Sequence, residues 1–236
     1  MSYDNLAYCL YSHDSLEHMC KPFIGEQKQY FPIECKKYFF YNKDVEIDPD
    51  YETLTYDDQI PYAQRLYNLL EQVPNEFVLI SHEDMFFYND VDMEMFDYYF
   101  QVLQANTQFA YLKLLRGGES QEPPKLFVQG IYKTPDSEPY VFCVQPTVWK
   151  RTVLLSILSH CIKTNIWELE VEASKFMKSN KIQTLFTFSP EDSKRGLFHW
   201  DNFYFPFVAS ALCKGRWNTS EYPEIIHNFK TTYGIQ

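Results

Sequence analysis

Glycine is scarce in this chain, with seven among 236 residues, and positive charge is in the minority. Lys and Arg number 21 against 32 Asp and Glu, which leaves a net charge of −11. A surface this acidic repels a phosphate backbone, so general nucleic-acid binding is excluded as an expectation. One nucleotide held through a metal ion is still compatible, because the cation inverts the local electrostatics. The six cysteines, Cys9, Cys20, Cys35, Cys143, Cys161 and Cys213, make no C-x-x-C pair and match no zinc spacing. The opening residues Met1-Ser2-Tyr3-Asp4-Asn5 lack the basic segment of a secretory signal. No apolar run approaches the ~18 residues of a membrane span. The expectation is a cytoplasmic protein with reduced thiols and no transmembrane segment, in which Asn218-Thr219-Ser220 matches a glycosylation sequon by chance. Neither an internal repeat nor a low-complexity linker divides the chain, so one domain is expected.

What the chain has in excess is aromatic: 18% of residues, with 19 Tyr and 20 Phe. Such rings fill cores, and they also stack on sugars and nucleotide bases. Composition alone does not choose between the two.

Hydrophobic spacing predicts strands over 6–11, 37–41, 77–80, 109–115, 126–132, 140–144 and 182–188. It predicts helices over 15–29 (interrupted near Pro22), 60–72, 91–104, 152–162, 168–178 and 205–214. The helix over 60–72 has Pro61 in its first turn and Ala63, Leu66, Leu69, Leu70 and Val73 on one face. Phe77 to Ile80 is a continuous apolar run, the kind buried on both faces of a parallel sheet. Strand–helix alternation through the first hundred residues predicts an α/β fold with a mainly parallel sheet flanked by helices, and the closely spaced strands that follow predict an antiparallel addition. Ligands of such sheets bind beyond the carboxyl ends of the strands. Ser12-His13-Asp14 and Ser81-His82-Glu83-Asp84 are the segments expected there.

In Phe77-Val78-Leu79-Ile80-Ser81-His82-Glu83-Asp84 a buried strand runs straight into acidic groups. A rigid β-edge then delivers carboxylates, the oxygen ligands that hard cations such as Mg²⁺ or Mn²⁺ prefer. The plainer alternative is a solvated loop that caps the next turn. Tyr62 and Arg65, three apart on a helix, share one face. The guanidinium could meet a phosphate or a base, or pair with Asp57 or Asp58. In Trp167-Glu168-Leu169-Glu170 a carboxylate beside a Trp could be a base raised by desolvation, or acidic residues could simply favour a helix N-terminus. His199-Trp200-Asp201 offers either an imidazole ligand or a structural His–Asp contact.

Taken together, several strings resemble the GT-A-type glycosyltransferases, in particular a compact group of bacterial and viral nucleotide-sugar-dependent transferases. They are Tyr56-Asp57-Asp58 with Tyr62-Ala63-Gln64-Arg65-Leu66, His82-Glu83-Asp84, Gln145-Pro146-Thr147-Val148-Trp149, Trp167-Glu168-Leu169-Glu170, and Gly196 through His199-Trp200-Asp201 to Lys214-Gly215-Arg216-Trp217. The resemblance implies a single GT-A-like domain over residues 1–236, with a nucleotide-binding half (1–105) and an acceptor-binding half (106–236). It implies Mn²⁺ or Mg²⁺ at the place of a D-x-D motif, held by Asp84, with Glu83 and His199 as further ligands. His82 stands where the motif has its first acidic residue. Tyr11, Ser12 and His13 would hold the base and ribose, with Tyr62, Arg65, Gln145 and Trp149 also on the nucleotide-sugar side. Glu170, ahead of Glu168, would be the catalytic base of an inverting transfer. Trp167, Trp200, Asp201 and Lys214 would lie on the acceptor or phosphate side, and Lys194, Arg195 or Arg216 could cover a diphosphate. The implied activity moves a sugar from a UDP- or GDP-sugar donor to a hydroxyl of a glycan acceptor. A non-catalytic carbohydrate- or protein-binding module on the same fold is the alternative, and a metal-dependent hydrolase is a further one.

Overall fold

Alternation along the first strand sets the architecture. In β1 (Leu6–Tyr11) the side chains of Leu6, Tyr8 and Leu10 enter one core layer, and those of Ala7, Cys9 and Tyr11 enter another. A strand buried on both faces needs helices on both, and the chain supplies them. The structure, a computed structural model, describes residues 3–116, 125–196 and 199–235. After β1 come α1 (Glu17–Tyr30), β2 (Lys36–Tyr41), β3 (Tyr51–Thr55), α2 (Tyr62–Gln72), β4 (Phe77–His82), α3 (Met93–Ala105) and β5 (Phe109–Lys113). Next are β6 (Lys125–Val128), β7 (Ile131–Lys133), β8 (Thr147–Lys150), α4 (Arg151–His160), α5 (Ile166–Ser179) and β9 (Gln183–Thr187). Two short hairpins, β10 (Lys194–Arg195) with β11 (His199–Trp200) and β12 (Leu212–Cys213) with β13 (Arg216–Trp217), precede α6 (Pro223–Tyr233).

The main sheet has the order β3-β2-β1-β4-β8-β5-β9-β7-β6. Ladders β1–β2, β2–β3, β1–β4 and β5–β9 are parallel, while β7 and β8 run against their neighbours. α1, α3 and α6 cover the layer that holds Leu6, Tyr8 and Leu10. α2, α4 and α5 cover the layer that holds Ala7, Cys9 and Tyr11. No helix among the described residues is long and apolar enough to cross a membrane.

The structure corrects several expected elements. α1 is continuous through Pro22, because the carbonyl that loses its amide partner belongs to His18, which faces water. The run 126–132 is a hairpin of β6 and β7 that turns at Gly130, where φ is +69° and the Tyr99 hydroxyl lies against the α-carbon. Residues 140–144 are irregular, and side chains satisfy their backbone: Phe142 N donates to Ser174 Oγ at 3.0 Å and Val144 N to Glu170 Oε1 at 3.0 Å. Thr147–Lys150 is strand β8, although the sequence reads as the opening of a helix.

The largest change is at 205–214, which is extended rather than helical. Pro206 has no amide to donate, and the segment instead lies against the residues that leave β4. Tyr88 N donates to Pro206 O at 3.0 Å, Val208 N to Phe86 O at 2.9 Å and Ala211 N to Asp84 O at 2.8 Å, with Phe87 bridged to Phe207. The exit of β4 is thereby clamped by a chain segment more than a hundred residues away. β3 and α6 carry weaker sequence signals, and no element is expected at either.

Candidate functional site

The chain passes from β1 through α1 to β2 on one flank, then returns through β3 and α2 to β4 on the other. The strand order therefore reverses between β1 and β4, and ligands of such sheets bind beyond the carboxyl ends of the strands at that point. In the ladder Tyr11 is level with His82. The next residues, Ser12 and Glu83, leave the sheet side by side, and the Ser12 hydroxyl acts to lower the Glu83 carboxyl against its burial.

Alternation sorts the end of β4 by chemistry. His82 turns to the α2 face, buried, with Nε2 2.9 Å from the Tyr62 hydroxyl and its ring beside Tyr11 at 5.5 Å. Desolvation pushes its imidazole down to about 4, so it is neutral near pH 7. Among the described residues its Nδ1 and the buried hydroxyls of Tyr11 and Tyr41 make no close hydrogen bond, although the Val144 backbone acts on the imidazole and Tyr56 and Arg65 act on the Tyr11 hydroxyl. Tyr11 and His82 lie on the α2 side of the sheet and Tyr41 on the other, all at the carboxyl ends of their strands.

Glu83 and Asp84 form the acidic end. Burial, then the charge of Asp84, raises the Glu83 carboxyl to about 8. Burial raises Asp84 to about 6, opposed by the Leu212 backbone, the Ser210 hydroxyl at 3.4 Å and the charge of His199. Burial and mutual repulsion thus disfavour a full negative charge on both carboxyls at neutral pH. A nearby cation would draw both to the charged form. Two carboxylates suit a hard cation whose other ligands are waters and phosphate oxygens. They do not make a closed protein cage: among the described residues no three His, Cys, Asp or Glu side chains converge to hold an ion. His199 does not complete a three-residue shell, and its Nδ1 lies 2.6 Å from Glu221 Oε2.

α5 brings a third carboxylate to the α2 side. Asn165 caps the helix by accepting from the amides of Trp167 and Glu168, and Glu168 Oε2 accepts from Asn165 N at 3.1 Å. This capping box commits Glu168 to the helix end. Glu170 instead points inward, and desolvation raises its carboxyl against the Val144 amide and the Lys113 ammonium. Tyr62 senses the charges of both Glu170 and Glu83, so both carboxyls lie within electrostatic reach of its hydroxyl. Trp167 faces solvent, 76% exposed.

Lys113, at the carboxyl end of β5, is buried and acts on Glu170, Glu138 and Cys143 together. The sequence reading passed over it, although a lone lysine in the apolar run 109–115 was the available signal. The Val144 amide had no such signal, because its role depends on a contact 26 residues away.

The other expected residues are placed as follows. The Tyr11 ring stacks on Tyr56 at 5.1 Å, so one face is already covered. Ser12 is buried, with Oγ 3.2 Å from Cys20 Sγ. His13 caps the turn at 14–16 and lies 3.5 Å from Asp58. Arg65 binds no carboxylate among the described residues: it donates to the carbonyls of Ile60 and Asp58 and sits over the Tyr56 ring. Gln145 is half-buried at the mouth of β8, and its carbonyl accepts from Thr147 Oγ1. Trp149 is a core side chain between Tyr111 and Phe142, away from solvent. Trp200 carries the Arg116 guanidinium 4.8 Å above its ring. Asp201 is occupied by Arg195 at 2.6 Å, Tyr88 at 3.1 Å and Ser193 at 3.1 Å, which also commits Arg195 to the protein's own network. Lys214 is exposed in a two-residue hairpin turn with Gly215, both at positive φ.

No protein-family profile matches this sequence, and no curated protein matches it. Solved structures do match. Residues 1–349 of S. aureus TarS superpose with a TM-score of 0.50 at 10% identity, over 98% of this chain and 64% of that one. The bifunctional IspDF from Campylobacter jejuni gives 0.46 at 14% identity, over 80% of this chain and 50% of that one. A cytidylyltransferase from Leptospira borgpetersenii gives 0.49 at 10% identity, over 99% and 97%. The chain spans about half the length of IspDF and under two thirds of the TarS fragment. At these identities the likeness is one of fold. The fold is a single GT-A-like α/β domain with a mixed, mainly parallel sheet flanked by helices.

Proposed function

We propose that the chain is a glycosyltransferase that moves a sugar from a UDP- or GDP-linked donor to a glycan hydroxyl. One observation carries the reading: Glu83 and Asp84 leave β4 beside Ser12 of β1, at the point where the strand order reverses. That is where a sheet of this kind receives a nucleotide, and two carboxylates there suit a cation that also grips a diphosphate.

Asp84, with Glu83, would hold Mn²⁺ or Mg²⁺; when bound, the ion neutralises charge that builds on the leaving diphosphate. The chain's own groups do the rest. The neutral His82 and the Tyr62 hydroxyl, hydrogen-bonded to each other near Glu83 and Glu170, add polar groups there without adding charge. In an inverting transfer Glu170 takes the acceptor hydroxyl's proton, and its desolvation raises the carboxyl towards the working range of a base. Lys113 then steadies the charge that Glu170 carries beforehand. In a retaining transfer Glu170 has no base role.

The test is calorimetry of UDP- and GDP-sugars, with and without Mn²⁺, on the wild type and Asp84→Asn. Metal-dependent donor binding that the substitution abolishes is the expected result. Carbohydrate binding without metal-dependent nucleotide binding would favour a non-catalytic module instead.

A further inference from the structure

At the opposite edge of the sheet, where β5 and β9 begin, lies a cleft of about 710 Å³. Its rim carries Lys125, Lys133, Lys178 and Lys181, with Asp136 the acidic residue among the described lining ones and Lys178 also acting on the buried Glu138; its floor includes Phe109, Val141 and Met177. Four ammonium groups on one cleft stand out in a chain of net charge −11. Among the described residues no carboxylate lies within ion-pairing distance of any of the four, whereas Lys28, Lys36, Lys43 and Lys175 each have such a partner.

Two details show that the cleft is built rather than incidental. Lys181 follows the C-cap of α5 with φ at +51°, in the left-handed region, where a helix end usually has glycine. A lysine there carries backbone strain that glycine would avoid, and such strain persists where the side chain has a use. Lys133 is held over two rings, 5.7 Å from Phe109 and 5.5 Å from Phe127. Thr184, 3% exposed, also lines the cleft; its hydroxyl makes no close hydrogen bond among the described residues and acts on the Tyr111 hydroxyl.

We propose that this cleft binds a phosphate-bearing organic anion, its phosphate held by Lys125, Lys133, Lys178 and Lys181 and its apolar part lying over Phe109, Val141 and Met177. Lysines act here as point charges on phosphate oxygens. A phosphorylated soluble metabolite and an anionic lipid headgroup share this chemistry. The site is at the amino edge of β5 and β9, so it is separate from the carboxyl-edge site at Glu83 and does not depend on the glycosyltransferase reading.

The experiment titrates the full chain in metal-free buffer with pyrophosphate, followed by amide NMR shifts. In parallel, it is sedimented with phosphatidylcholine vesicles that contain or lack phosphatidic acid. Saturable binding in either arm is expected, weakened about tenfold or more in Lys133→Gln/Lys181→Gln and retained in Asp84→Asn. The vesicle arm assigns a lipid source, and pyrophosphate alone assigns a soluble one. Lys181→Gly separates charge from backbone: it should raise the Tm by relieving the left-handed strain and still weaken the anion. Failure to bind either probe overturns the proposal. So does undiminished binding in the double variant, or a Lys181→Gly protein that gains stability with unchanged affinity.

Discussion

The two edges of the sheet handle charge in opposite ways. At the carboxyl edge Glu83, Asp84 and Glu170 are desolvated, raised above the ordinary carboxylate range and braced by Ser12, Leu212, Ser210 and the Val144 amide. At the amino edge Lys125, Lys178 and Lys181 stand on a cleft rim in contact with water. A desolvated group interacts strongly and directionally, because few water dipoles screen it. A solvated one attracts over distance and loses most of that pull as salt rises. The carboxyl edge is thus suited to reacting atoms, and the amino edge to capturing an anion.

Asp84→Ala is the severest way to test that contrast. If the carboxyl edge performs sugar transfer, turnover falls about 10³-fold, which is about 4 kcal/mol at ~1.36 kcal/mol per tenfold. Circular dichroism should show the fold intact, since the Asp84 backbone keeps its bond from Ala211. Near-native turnover would remove Asp84 from the chemistry. Next in size is Glu170→Gln, for which single-turnover kinetics should show about a 10²-fold slower transfer with donor affinity little changed. An unchanged rate would point to a retaining mechanism.

How much of this edge could be read from the sequence follows from how local each feature is. Leu6–Tyr11 and Phe77–His82 declare themselves by composition and length, and the acidic exit follows directly from the end of the second. α2, α3, α4 and α5 show helical spacing over ten residues or more. β3 is an edge strand with a half-exposed, polar sequence, so its signal is weak. The segment 205–214 is apolar enough for a helix, but Pro206 and pairing with Asp84, Phe86 and Tyr88 decide its form, and none of these three partners is near in sequence. The same holds for Lys113 and the Val144 amide. Trp149 and Arg65 show the converse: residue types that suit a ligand are used instead to fill a core and to close a turn.

Asp192 isolates desolvation from any proposed chemistry. Burial raises its carboxyl from 3.8 to about 6, although the amides of Phe203 at 2.8 Å and Ser189 at 3.1 Å oppose the shift. With the folded pKa above the unfolded one, the native state binds more protons between about pH 4 and 6, so stability falls as pH rises through that window. Asp192→Asn lacks this step. The Tm difference, wild type minus variant, should therefore decline between pH 4 and pH 7 in thermal melts. A difference that grows over that range would show that the two amide bonds outweigh burial.

The finest comparison lies within α5, where two glutamates two residues apart differ in solvation. Glu168 is exposed and closes the capping box on Asn165, whereas Glu170 is drawn inward to Val144. A cap in water contributes modestly, so Glu168→Ala should lower stability by about 0.5–1 kcal/mol in urea melts. If Glu170 is the base of the proposed transfer, turnover should stay within about twofold. If Glu168→Ala instead slows transfer as much as Glu170→Gln does, solvation is not what separates the two roles. The contrast between braced, dry carboxylates and solvent-facing charges would then fail at the one place where helix, spacing and residue type are held constant.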